Sequence, residues 1–130
     1  MPLIEVFVRG GSSYRSENLA EGAHRALVDA LGVPEDDRFI AVHRFPDGDL
    51  QLHPTFMGMN RSPEAVIVRV TLGVHRELPQ KRLFSRLAQS LNETAGLRPD
   101  DLFVCLVGVP NENWSFGRGE AQLADAPPQW

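Results

Sequence analysis

Cysteine is nearly absent. The 130-residue chain has one, Cys105, in the apolar run "LFVCLVGV". A single thiol cannot form a disulfide within a chain, so a disulfide scaffold is excluded and a reducing cytoplasm is the expected compartment. In that setting Cys105 reads as a buried small hydrophobe. Runs of Lys and Arg are missing too, and the formal net charge is -4, which argues against binding driven by nucleic-acid phosphates. No apolar run approaches the ~20 residues that cross a bilayer. The start lacks a basic region followed by a long apolar stretch, so no secretory leader is expected. His24, His43, His53 and His75 follow no metal-ligand spacing, and neither a metal nor another cofactor is expected. "RGGSS" at 9–13 is glycine-rich but too short for a dinucleotide or phosphate-loop fingerprint, and reads as a turn.

What remains is ordinary globular material. Hydrophobic residues make up 42% and charged residues 23%, over a length that suits one domain with a real core. The single domain, 1–130, is built from two copies of one unit, about 2–43 and 65–109, plus a C-terminal segment. "LGVPEDDRFIAV" (31–42) repeats as "AGLRPDDLFVCL" (95–106), an offset of 64 residues. Gly32 falls on Gly96, Asp36-Asp37 on Asp100-Asp101, and Phe39 on Phe103. The same offset carries Leu19, Ala23, Leu27 and Leu31 onto Leu83, Leu87, Leu91 and Ala95, the spacing of one helix face. It carries "LIEVFV" (3–8) onto "IVRVTL" (67–72), both strand-like. Each half therefore reads strand, helix, strand.

The spacing predicts a helix over 16–31, ended by Gly32 with Pro34 beyond, and a second helix from near Pro79 to Gly96. Pro46-Asp47-Gly48 marks a turn, with a small hairpin expected around it. Strand 65–72 places Val66, Val68, Val70 and Leu72 on one side and Ala65, Ile67, Arg69 and Thr71 on the other. Strand 102–109 is apolar on both faces, the pattern of a strand covered on both sides. Two right-handed strand-helix-strand units give an α/β fold, a four-stranded sheet with both helices on one face. One chain of this size cannot cover the other face, so an oligomer closing through it is expected, with a ring the natural closure. The "DAPPQW" tail reads as loosely ordered.

Pro2 follows Met1 directly. Methionine aminopeptidases remove Met ahead of a small residue, proline included. The exposed Pro2 nitrogen would then be a secondary amine, a group no other residue places at a terminus. Free α-amino groups titrate near pKa ~8. An apolar surround lowers that value and favours a general base; a nearby carboxylate raises it and favours an acid. The residues leave both open.

The duplicated unit, the amino-terminal proline and the expected oligomer together resemble the tautomerase superfamily. "GVPEDDRF" (32–39), "NRSPEAVIVRV" (60–70) and above all "NWSFGRGEAQ" (113–122) resemble its malonate semialdehyde decarboxylase-like members, which are homotrimers. The resemblance implies catalytic roles for Pro2, Asp37 and Arg76, with Arg76 also binding a substrate carboxylate and Trp114 and Phe116 lining the pocket. It implies proton transfer on a small 2-oxo or 3-oxo acid, as in keto–enol tautomerisation. A decarboxylase-like lyase or hydratase, or a non-catalytic binding trimer of the same fold, are the alternatives. The decarboxylase has two arginines one residue apart, whereas Val74 occupies the earlier position here. Read on its own, Arg76 is a solvated loop arginine, Asp37 a turn residue whose repeat partner is Asp101, and Trp114 and Phe116 caps on the core. His75 and Tyr14 follow strands and are weaker neighbours of the site. His75 and Arg38 are the next candidates for the carboxylate.

Overall fold

The computed structural model describes residues 2–73 and 76–126. The chain runs β1 (Pro2–Arg9), α1 (Ser16–Leu31), β2 (Ile40–Phe45), β3 (Val66–Gly73), α2 (Gln80–Ala95), β4 (Leu102–Val109) and a short α3 (Gln122–Asp125). The sheet order is β2-β1-β3-β4. β1 pairs parallel with β2, β3 parallel with β4, and the halves join where β1 meets β3 antiparallel. Both helices end on the glycine of their repeat. Gly32 at φ 74 and Gly96 at φ 72 adopt the left-handed conformation that a β-carbon disfavours.

Alternation decides which side of the sheet is covered. Ile4, Val6 and Val8 of β1 and Val66, Val68, Val70 and Leu72 of β3 are buried beneath the helices. Leu19, Ala23 and Leu27 of α1 meet them, as do Leu83, Leu87 and Leu91 of α2. The helices approach closely at Gly22, where a β-carbon would collide with Thr94 Oγ1 and lie 3.2 Å from Leu91 Cα. Ser90 Oγ donates to Gly22 O (2.7 Å) and Thr94 Oγ1 to Asn18 O (2.9 Å), tying the two helices together.

The opposite face carries Leu3, Glu5, Phe7, Ile67, Arg69 and Phe103; neither long helix lies on it, and the 51–61 segment reaches it at Ile67 and Phe103. Glu5 lies near its centre. Arg69 contacts it at 2.8 Å and sits 5.1 Å over the Phe7 ring. His43 stacks on Phe7, with Nε2 3.2 Å from Glu5 Oε1 but off the hydrogen-bonding direction. Cys105 lies in this face and is exposed in the chain, which corrects its expected burial. β4 is apolar on both sides, but the helices cover only one.

The hairpin expected around Pro46-Asp47-Gly48 does not form. The turn is present, with Asp49 N donating to Pro46 O (3.1 Å) and Gly48 at φ 91. The chain beyond it pairs with no strand and continues to a 3-10 turn at Phe56–Gly58. Among the described residues, no helix is long and apolar enough to cross a membrane. Residues 127–130 of the tail lie outside the described residues.

Candidate active site

Pro2 opens β1 as a buried residue, opposite Leu72 of β3 in the antiparallel register. Two residues on, Ile4 N donates to Phe39 O (2.9 Å). This backbone bond fixes the start of β1 against the segment that enters β2, and that segment carries Asp37.

Asp37 closes a β-turn that starts at Pro34, with its N–H on Pro34 O (3.1 Å). Several groups hold the turn in place. Val33 is buried beneath it. The buried His24 ring, whose Nε2 lies 3.0 Å from Glu35 O, ties the turn to α1. Arg38 reaches back to Glu21 (2.9 Å). Arg38 first, then Arg25, hold the Glu21 carboxyl below its ordinary range by hydrogen bonding. A groove of about 430 Å³ lined by Glu21, Arg25, Asp29 and Arg38 lies behind the turn. Its walls carry both charges, it includes neither Pro2 nor the aromatic rings, and we assign it no part in the site. Asp37 is half-buried, with Oδ1 out of solvent.

Arg76 reaches the same neighbourhood. Its Nη2 donates to Leu31 O (2.6 Å), at the C-terminal end of α1 just before the Asp37 turn. Pro2 thus stands at the start of β1, Asp37 on the α1–β2 connection bonded to that start, and Arg76 on the β3–α2 connection bonded to the end of α1. Val74 and His75 lie outside the described residues. Tyr14, weighed above as a neighbour, sits past the far end of β1 in the counterpart region of the other half. There burial, and the charges of Asp101 and Glu64, raise its pKa.

The internal repeat separates Asp37 from Asp101. Asp101 is fully buried and accepts from Ser62 N (2.7 Å) and Ser62 Oγ (2.6 Å), just ahead of β3. The repeat offset places Val66 on Pro2. The carboxylate of the second half therefore faces the backbone entering β3, and Asp37 occupies the matching place at the entry to β1.

Trp114 and Phe116 stack with centroids 6.0 Å apart and planes at 6°. They follow β4 and lie over Gly73, the last residue of β3. A β-carbon at position 73 would come within 2.6 Å of Asn111 Oδ1, so the Asn111 side chain would have to shift, and would lie in ordinary contact, 3.7 Å, with Trp114 Nε1. Both polar atoms are buried and have no hydrogen-bond partner among the described residues. Phe39 completes the row, its ring 5.9 Å from Phe116 at 42°. The sequence reading used Phe39 only as a position of the repeat; its exposure is the signal that the fold adds.

Two models of tautomerase enzymes match the chain, over residues 2–60 and 37–117. The probable tautomerase YrdN of Bacillus subtilis is 33% identical across 95% of this chain and 96% of its own length. Among solved structures, malonate semialdehyde decarboxylase superimposes with a TM-score of 0.81 and 32% identity, covering 92% of this chain and 94% of its own. A fused 4-OT symmetric trimer shares the fold, with a TM-score of 0.73 at 19% identity, covering 95% of this chain and 98% of its own.

Proposed function

The chain belongs to the tautomerase family of enzymes, and on that premise we propose that, once Met1 is removed, the Pro2 amine moves a proton between the oxygen and C3 of a small 2-oxo acid. In the enol-to-keto direction the neutral amine takes the enol hydroxyl proton and returns it to C3, so the reaction is an isomerisation with no net proton change. Arg76 takes the substrate carboxylate, for which its planar fork is suited. Asp37 stabilises the prolinium formed in between. The Ile4–Phe39 backbone bond carries this reading most directly, because it holds the start of β1 against the segment that presents Asp37.

A second reading is decarboxylation of a 3-oxo acid by a cationic Pro2. The 32% identity to malonate semialdehyde decarboxylase favours it, and Val74 in place of that family's second arginine speaks against it. The uncovered sheet face, together with the trimeric state of a structural relative, supports a homotrimer as the working form.

Pro2→Ala should lower turnover of an enol by about 10²–10⁴, the usual contribution of a placed acid or base. Arg76→Ala should raise KM, with a further loss of kcat if the contact tightens in the transition state. Steady-state kinetics on purified variants check both. An Arg76→Ala variant with unchanged kcat/KM would move the carboxylate site to His75 or Arg38.

A further inference from the structure

We infer that His24 is a positioning residue for the proposed proton transfer: from α1 it holds the turn that presents Asp37, so its loss slows turnover without weakening carboxylate binding. The inference rests on the tautomerase reading of Pro2, Asp37 and Arg76. His24 is buried in α1, 5% exposed. Its Nε2 lies 3.0 Å from Glu35 O, and because a carbonyl oxygen only accepts, Nε2 is the donor. Nδ1 is out of solvent with no hydrogen-bond partner among the described residues. The ring's one hydrogen bond among those residues is therefore the one to the turn. A second grip lies beyond Asp37, where Arg38 Nη1 donates to Glu21 Oε2 (2.9 Å). Glu21 and His24 stand three residues apart on α1 and so share a face. Their two bonds bracket Asp37 without passing through its carboxylate. The Arg38–Glu21 pair is about two-fifths exposed on both sides, and an ion pair so placed holds weakly. The buried grip at Glu35 is the firmer of the two.

The second half of the molecule has the same groove behind its turn and lacks this grip. The repeat offset carries His24 onto Ala88, Glu35 onto Pro99 and Arg38 onto Leu102. Those three residues line an apolar groove of about 230 Å³ with Phe84 and Val104. Ala88 has no donor to offer the Pro99 carbonyl. Asp101 instead anchors its own turn, through the bonds of its carboxylate to Ser62. The two halves therefore hold equivalent turns in two ways. Where the aspartate is structural, its carboxylate carries the hold. Where it is proposed to serve Pro2, α1 carries a hold through the backbone of the turn. Arg76 does not depend on this grip, because it hangs from Leu31 O at the end of α1. Loosening the turn should thus leave the substrate carboxylate in place.

The test uses the Met1-free protein and His24→Leu, which keeps apolar volume without a donor, beside His24→Gln, whose amide N–H can reach the same carbonyl. If the leucine variant fails to fold, His24→Ala replaces it, the residue that the repeat itself carries at position 88. Kinetics follow ketonisation of the enol of phenylpyruvate. A misplacement of about 1 Å can cost about 10² in rate, so a turn that keeps one grip of two should lose about tenfold in kcat with KM within twofold. His24→Gln should return kcat to within about threefold of the wild type. In an Asp37→Asn background His24→Leu should change kcat less than twofold, because the group it positions is already gone. Amide exchange followed by NMR reads the turn without turnover. The Asp37 amide, which donates to Pro34 O (3.1 Å), should exchange at least fivefold faster in His24→Leu, while its counterpart at Asp101, which donates to Arg98 O (2.9 Å), stays within twofold. An unchanged kcat, a loss in KM alone, the same tenfold loss in the Asp37→Asn background, or equal acceleration of both amides would overturn the inference. An Asp37→Asn protein as active as the wild type defeats the proposed role of Asp37 and takes the inference with it. Slow turnover in Asp37→Asn beside normal turnover in His24→Leu defeats the inference alone. A wild type without turnover defeats the tautomerase reading, and the two amides then decide whether His24 holds the turn.

Discussion

Asp101 and Asp37 occupy the same position of a repeated turn and are held differently. Asp101 has no solvent exposure, and both its oxygens are engaged by Ser62, with Arg98 Nη1 at 3.5 Å from Oδ2. Removing it leaves a buried N–H and a hydroxyl without their acceptor. Asp101→Ala should therefore cost about 2–4 kcal/mol of stability. Asp37→Asn keeps the shape and the buried Oδ1, and should cost about 1 kcal/mol or less while lowering turnover at least tenfold. Urea denaturation beside steady-state kinetics checks the pair; an Asp37→Asn variant that loses stability but not activity would make Asp37 a second structural aspartate. The sequence exposed the repeat of these aspartates but not the difference between them. That difference lies in Ser62, 39 positions away from Asp101, and no local pattern connects the two. Phe39 and Asn111 were unreadable for a similar reason. Their contacts, with Phe116 and beside Gly73, come from segments that meet only after the chain beyond β4 folds back.

The helices and the four strands were legible because burial of one face imposes a period that the side chains must follow. Strand 65–72 divides as its alternation reads, and the side with Val66, Val68, Val70 and Leu72 is the buried one. The missing hairpin shows where such reading stops. Leu50 and Leu52 alternate as a returning strand would, yet they pair with no strand and line a small cavity with Arg9 and Ala65 at the end of the sheet. The following segment is held by single bonds such as Asn60 N to Asp100 Oδ2 (2.9 Å) and Arg61 N to Pro54 O (2.9 Å). Gly22 offers a test of how the helices pack. Alanine is the better helix former by ~1 kcal/mol, but its methyl would strike Thr94 and crowd the Leu91 backbone. Overpacking should win, so Gly22→Ala is expected to lose about 1–3 kcal/mol in thermal or urea unfolding. A gain in stability would mean that the α1–α2 contact is looser than described.

The proposed homotrimer would cover the face that the helices leave open. Phe7, Phe103 and Val107 lie there around the Glu5–Arg69 pair. A charge in that face should keep copies apart. Val107→Asp is expected to convert a trimer into monomer at micromolar concentration, read by light scattering. A wild type that is already monomeric there would contradict the reading of this face. Cys105 was misread for the same reason, since sequence alternation marks an apolar face without saying whether the same chain or another copy covers it.

The proposed chemistry depends on one nitrogen, and that nitrogen can be blocked without changing any side chain of the fold. The direct comparison is kcat/KM for an enol substrate between two preparations, one with Met1 removed and one with Met1 retained, each verified by intact mass. With Met1 retained the Pro2 nitrogen is an amide and cannot carry a proton. Turnover should then fall by at least about 10² relative to the Met1-free chain. Equal kcat/KM in the two preparations would contradict proton transfer by Pro2.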